Sequence, residues 1–268
     1  VTASAKEAPV AEGLVVEGLR KQYGDHTAVD GVSFSLAPGA CLAIVGESGS
    51  GKTTTVRMLV GLERPDGGTV RLDGRDRSAL PRRRAERLAR AREIQMVFQD
   101  PYLSLDPRVS VSGCLDEVLR LHTDLDAAGR GTRVTQLLDQ VGLGPREAAA
   151  LPRDLSGGQR QRVAIARALA VEPRVLVLDE AVAALDVSIQ AQILELLGQI
   201  RSASGIGYLF VTHDLAVVRH IADEVLVLKS GQVVETGPTS RVLEAPEHPY
   251  TRLLLDSVPR RRRSPADR

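Results

Sequence analysis

The sequence predicts an α/β fold: a mostly parallel core sheet covered by helices on both faces, a small antiparallel sheet beside it, and an inserted helical lobe. Three observations predict it. Short continuous apolar runs at 42–45, 175–178, 208–211 and 225–228 alternate with helical patterns, as in parallel sheets buried on both faces. A glycine-rich loop joins the first of these runs to a helical pattern at 52–60. Two acidic residues, Asp179 and Glu180, close the second run, at the strand end where open α/β sheets bind ligands.

In chain order, residues 1–12 mix Ala, Ser, Lys, Glu and Pro and read as a flexible tail with no apolar signal-peptide core. Stretches 15–36 and 68–73 alternate apolar with polar residues and carry turn residues, which suggests the antiparallel sheet. The run 81–92 holds Arg82, Arg83, Arg84, Arg87, Arg90 and Arg92 and reads as a solvated helix face. Residues 100–155 are helical in pattern, broken at Gly113, Gly142, Gly144, Pro145 and Pro152. A helix is expected over 187–200 after the acidic pair, and the basic run 260–263 reads as disordered.

Composition removes several function classes. Lys+Arg is 35 against Asp+Glu 34, a net charge of +1, a balance that argues against bulk electrostatic binding to nucleic acid, which needs a clustered basic surface. The two cysteines, Cys41 and Cys114, form no CxxC pair, which argues against a zinc or iron–sulfur site and suits a reducing compartment. No apolar stretch approaches membrane-spanning length, so a membrane role would come through a partner.

Gly46-Glu47-Ser48-Gly49-Ser50-Gly51-Lys52-Thr53 fits GxxxxGK[ST] between a strand and a helix, the setting of a P-loop NTPase. The glycines let backbone N–H groups curl around phosphate oxygens, and the helix N-terminus adds a favourable dipole. Lys52 is expected to reach the β- and γ-phosphates, Thr53 to ligate Mg²⁺, and Thr54 to bond phosphate. Asp179 is expected to hold Mg²⁺, and Glu180 to polarise the attacking water.

A second anion site is expected at Leu155-Ser156-Gly157-Gly158-Gln159, where Ser156 can cap a helix whose N-terminus two glycines leave bare. This run resembles the signature motif of ATP-binding cassette (ABC) ATPases, and the order of the other pieces agrees with that family over about residues 13–240. By that resemblance Tyr23 stacks on adenine. Gln99 senses Mg²⁺ and links to a transmembrane partner, Asp186 lies in the D-loop after Ala184-Leu185, and His213 contacts the γ-phosphate. Alone, Tyr23 has an ordinary reading as a surface aromatic, Gln99 as a loop amide and His213 as a core histidine; their ordered combination is specific. The implied fold is an ABC nucleotide-binding domain at 13–240, its helical subdomain at about 100–165 and a C-terminal extension at 241–268. The implied mechanism pairs two domains head to tail, with Mg²⁺ and ATP held between residues 46–53 of one and 156–159 of the other.

Three stretches resemble the ATPases of oligopeptide and dipeptide importers: 97–108, with Tyr102; 185–192; and His248-Pro249-Tyr250-Thr251-Arg252-Leu253-Leu254. The resemblance implies an energy-coupling subunit on the cytoplasmic face of the membrane. Its partners would be a second ATPase, permease subunits and, indirectly, a solute-binding protein, with no nucleic acid. The alternative is a soluble cassette ATPase of translation or DNA repair. A single cassette without sustained heptads disfavours it, and the importer-like stretches weigh against an exporter. The sequence departs from the family pattern after the catalytic glutamate, with Ala181 for the usual proline and Ala183 for a usual hydroxyl residue.

Overall fold

The computed structural model describes residues 13–100 and 104–257. The expected tail 1–12, residues 101–103 with Tyr102, and the basic run 260–263 lie outside the described residues.

The alternating stretches form the expected antiparallel sheet. Strand β1 (Leu14–Tyr23) pairs with β2 (His26–Leu36) on one side and with β4 (Gly67–Leu72) on the other, and β5 (Arg75–Asp76) extends the edge. Leu14, Val16 and Leu19 point inward; a register shift between Val16 and Leu19 returns the alternation to the same face. Their inner faces pack with Val29, Val32 and Leu36 against Leu42, Ile44, Val56 and Leu59.

The continuous apolar runs form the core of a six-stranded mixed sheet. Strand β3 (Cys41–Val45) lies parallel between β8 (Gly207–Thr212) and β9 (Glu224–Lys229). Beyond β8 follow β7 (Val175–Asp179) and β6 (Ile94–Val97), also parallel; β10 (Gln232–Pro238) closes the other edge antiparallel to β9. All residues of β3, β7 and β8 are buried. Two strands were not expected. β6 has only four residues, of which Ile94 and Val97 alone are buried, and β10 is an edge strand in which Glu235 alone is buried. Neither supplies a continuous apolar run, so hydropathy alone misses both.

The helical lobe comprises α3 (Val111–His122), α4 (Ala127–Gln140), α5 (Pro145–Ala149) and α6 (Gly157–Leu169). Side-chain oxygens start three of them: Ser110 accepts from Gly113 N, Asp126 from Gly129 N, and Ser156 from Gln159 N. Leu115, Leu119, Leu137 and Leu138 pack into one cluster with Val163, Ile165, Leu176 and Phe210, joining the lobe to the core sheet. The Arg-rich stretch forms α2 (Arg84–Glu93), which buries none of its residues, as a solvated face should.

The remaining helices are α1 (Lys52–Leu59), α7 (Val187–Ser204), α8 (Leu215–Ile221), α9 (Thr239–Glu244) and α10 (Pro249–Ser257). Helix α7 runs four residues past its expected end and stops at Gly205, whose φ of 68° suits a left-handed cap. Both cysteines are free and buried, and desolvation pushes the Cys41 thiol up to about 12. Among the described residues, no helix is long and apolar enough to cross a membrane.

Candidate active site

The parallel strands β3, β7 and β8 deliver three segments to one edge of the sheet: the glycine-rich loop, the acidic pair and His213. Between them lies a cleft of about 480 Å³ lined by Val45, Gly46, Glu47, Ser48, Lys52, Glu180, His213, Leu215 and Leu254. Close packing forces two of the loop glycines. A Cβ on Gly46 would lie 2.3 Å from Leu228 O, and one on Gly51 2.4 Å from Ala28 O; Gly51 also has φ of 100°. Helix α1 begins at Gly51 without a side-chain cap, so its first N–H groups lack the side-chain acceptor that starts α3, α4 and α6. An uncapped N-terminus of this kind suits an anion.

Lys52 is buried and donates to the carbonyls of Gly46 and Glu47, at 2.7 and 2.8 Å. Burial holds its ammonium below the ordinary lysine value, while the charges of Glu180, Asp179 and Glu47 pull the other way. Asp179 is raised above the ordinary aspartate value, first by burial and then by the neighbouring charge of Glu180; Arg57, Lys52 and the Thr53 hydroxyl oppose the shift. Asp179 Oδ1 and Ser50 Oγ are buried without hydrogen-bond partners. Unpaired polar atoms at such depth are costly unless a ligand completes them.

Glu180 takes a left-handed backbone conformation with φ of 48°, and its N–H donates to Val211 O at 2.9 Å. That conformation is costly for a residue with a side chain and turns the chain sharply at the end of β7. The Glu180 carboxylate meets His213 Nδ1 at 3.2 Å. His213 is 63% exposed at its side chain, so it is not the packed core histidine of the ordinary reading. After Glu180, the bonds Ala183 N–H to Glu180 O at 3.0 Å and Leu185 N–H to Val182 O at 3.2 Å hold consecutive turns. The turn thus forms with Ala181, itself buried, in place of proline.

The other expected site residues lie outside this cleft's lining. Tyr23 is 44% exposed on the antiparallel sheet, with Lys21 Nζ 5.2 Å from its ring centroid. Gln99 is exposed just past β6. Thr53 is exposed and Thr54 half-buried in the first turn of α1. Asp186 caps α7, accepting from Ile189 N at 3.0 Å. Ser156 and Gln159 form a reciprocal capping box at 3.2 and 2.9 Å. The α6 N-terminus is therefore less bare than expected. Gly158 is needed for packing as well, since a Cβ there would lie 2.6 Å from Ile189 Cγ2 on α7.

Three contributors escaped the sequence reading. Leu215 of α8 and Leu254 of α10 line the cleft, and the Tyr250 hydroxyl accepts the N–H of Glu47 at 3.1 Å. The run His248-Pro249-Tyr250 was visible as a family feature, but nothing in it pointed to the phosphate loop 203 residues away.

A mixed sheet with an antiparallel sheet and a helical lobe, carrying a phosphate loop opposite an acidic strand end, defines a nucleotide-binding domain of the P-loop class. Residues 29–183 match the ABC transporter family model, and residues 234–267 match the oligopeptide/dipeptide transporter C-terminal region. The chain is 47% identical over 251 residues, 94% of its length, to the glutathione import ATP-binding protein GsiA of Escherichia coli (strain K12). It is 50% identical over 232 residues, 87% of its length, to the protein of the same name from Shigella dysenteriae. It spans only 39% and 37% of the lengths of these relatives. Among solved structures it is similar to cbiO1 from Clostridium perfringens, described as part of the ABC transporter complex cbiONQ. There the TM-score is 0.78 and the identity 31%, over 87% of this chain and 90% of that one. A dimeric ATP-binding cassette in a post-hydrolysis state bound to ADP and Pi gives a TM-score of 0.75 and 30% identity, over 84% and 98% of the two chains. The chain belongs to the ABC transporter family, with a C-terminal region of the oligopeptide/dipeptide transporter type.

Proposed function

We propose that this chain is the ATP-hydrolysing, energy-coupling subunit of an importer for peptides or a related small solute. It works as one half of an ATP-sandwich dimer, on permease subunits at the cytoplasmic face of the membrane. The observation that carries this reading is the convergence of Lys52, Glu180 and His213 on the phosphate loop in one cleft. The match of residues 234–267 to the oligopeptide/dipeptide transporter C-terminal region supports the importer class.

In this reading the phosphates of ATP enter the loop, and the Lys52 ammonium exchanges the carbonyls of Gly46 and Glu47 for phosphate oxygens. Among the described residues no three His, Cys, Asp or Glu side chains converge on a metal site. A Mg²⁺ ion, which takes much of its shell from phosphate and water, still fits: the unpaired Oδ1 of buried Asp179 is an acceptor in want of a cation. Thr53 and Asp179 would hold the ion, with Gln99 reaching it on closure, and it would neutralise phosphate charge. Water attacks the γ-phosphorus as the bond to the ADP oxygen breaks, and Glu180 takes the proton. His213 orients Glu180 through the Nδ1 contact and steadies the γ-phosphate. Tyr23 stacks on adenine, and residues 156–159 of a second subunit, with its Asp186 turn, close the site from the other side.

Glu180→Gln keeps the shape and removes the proton acceptor. It is expected to bind Mg-ATP, accumulate as a dimer on gel filtration with light scattering, and lose nearly all turnover. Hydrolysis at the wild-type rate would overturn the role of Glu180. The same variant, tagged and recovered with Mg-ATP from its own detergent-solubilised membranes, is expected to bring down permease subunits and an ATPase. Recovery of ribosomal or DNA-repair proteins in their place would overturn the transport reading.

A further inference from the structure

The C-terminal helix reaches the nucleotide site through one hydroxyl. Tyr250 is 5% exposed in the first turn of α10. Its ring packs in an apolar cluster with Ala43, Val45, Leu215 and Val227, and Lys229 Nζ sits 4.9 Å from its centroid. The hydroxyl accepts the Glu47 N–H at 3.1 Å. That N–H belongs to the same planar peptide as the Gly46 carbonyl, which holds Lys52 Nζ at 2.7 Å. One peptide unit of the phosphate loop is thus gripped at both ends, by Tyr250 and by Lys52.

Helix α10 is itself tethered. The buried carboxylate of Glu235 on β10 accepts the N–H groups of Glu247 and His248 at 2.9 and 3.1 Å, and His248 Nδ1 accepts the Tyr250 N–H at 3.1 Å. These bonds fix where the Tyr250 hydroxyl stands. The peptide it grips follows Gly46, whose missing side chain leaves the backbone broad freedom. Without the hydroxyl, the part-buried Glu47 N–H would lose this acceptor and be free to turn away.

We propose that Tyr250 is a positioning residue of the ATP site: its hydroxyl locks the Gly46–Glu47 peptide plane and so presets the phosphate loop and the reach of Lys52. The proposal rests on the ATP-binding reading of the cleft. A loop that samples other orientations binds ATP more weakly in proportion to the time spent in them. A hydrogen bond of ordinary strength corresponds to about a fivefold change in affinity.

The test is Tyr250→Phe in the full chain, which keeps the ring, its packing and the Lys229 contact. Equilibrium Mg-ATP binding and steady-state turnover are measured beside wild type and Val242→Ala. Val242 lies in the same apolar cluster, so its truncation controls for lost stability. The expected result for Tyr250→Phe is a Kd and a KM for ATP about fivefold higher, with kcat within twofold. Val242→Ala is expected to lower the melting temperature at least as much while its Kd stays within twofold of wild type. A Kd for Tyr250→Phe within twofold of wild type overturns the proposal, as does an equal loss of affinity in Val242→Ala. Wild type failing to bind ATP overturns the reading of the cleft and the proposal with it, an outcome distinct from the other two.

Discussion

Replacing Asp179 with Asn is expected to stabilise the nucleotide-free protein and to disable it. Asp179 is 7% exposed, one of its oxygens has no hydrogen-bond partner, and Glu180 stands next to it. A buried polar atom left unpaired costs about 1–3 kcal/mol, and more when charged. Attraction to Lys52 and Arg57 offsets part of that cost, so the neutral isostere should gain about 1 kcal/mol, or ~2–4 °C in melting temperature for a chain of this size. The pH dependence fixes the sign. Burial and Glu180 raise the folded pKa of Asp179 above its ordinary value. The folded state therefore binds more protons than the unfolded state between the two values, and stability falls as pH rises through that window. The advantage of Asp179→Asn should accordingly be full above the folded pKa and shrink as pH falls toward the ordinary aspartate range. Thermal melts at pH 7 with and without Mg-ATP test both halves. Saturation at about 100 times Kd should add ~2.7 kcal/mol to wild type and little to the variant, so the order of melting temperatures reverses. A variant that melts below wild type without nucleotide would refute the argument that this carboxylate waits for a cation.

Gly158→Ala sets two effects against each other. Helix propensity favours alanine by about 0.8–1 kcal/mol, but the new methyl would lie 2.6 Å from Ile189 Cγ2, an overpacking worth about 1–3 kcal/mol. A net fall in melting temperature is expected, relieved in the double variant with Ile189→Ala; a rise in the single variant would show that α6 and α7 separate freely. His213→Ala removes the partner of the Glu180 carboxylate and is expected to lower turnover by about 10²–10⁴-fold with ATP affinity within a few-fold, read by single-turnover hydrolysis and equilibrium binding. Unchanged turnover would remove His213 from the site.

What was legible in the sequence is what lies close along the chain. The GxxxxGK[ST] pattern is legible within eight residues because its glycines, Lys52 and the strand before it are contiguous. The fully buried strands β3, β7 and β8 show as apolar runs because both their faces are covered. Strand β6 did not show because two of its four side chains are only half-buried, and β10 because, on the sheet edge, its one buried residue is the charged Glu235. Tyr250 did not show because its significance is a single hydroxyl contact set by the tertiary fold. Gly158 did show, for its place in a motif, but its contact with Ile189 depends on how α6 crosses α7, which no local pattern records.

The two helix N-termini assigned to phosphate differ in a way that bears on how the dimer would close. Helix α1 starts at a glycine without a side-chain cap, so its N–H groups are available to an anion from the outset. Helix α6 starts with a capping box in which Ser156 satisfies Gln159 N and Gln159 satisfies Ser156 N. A phosphate arriving at α6 must compete with capping bonds worth about 1 kcal/mol, whereas at α1 no side-chain cap competes for the N–H groups, and the Lys52 ammonium, now on the Gly46 and Glu47 carbonyls, stands in the loop. ATP should therefore settle first on α1 and reach α6 of a second subunit only once it is held. Ser156 is exposed, and its hydroxyl, whose oxygen accepts the Gln159 N–H, still has its own O–H to donate to a γ-phosphate oxygen. In the proposed dimer this ordering would make the loaded α1 site the condition for closure, so that dimer formation would depend on bound nucleotide and not on surface affinity alone.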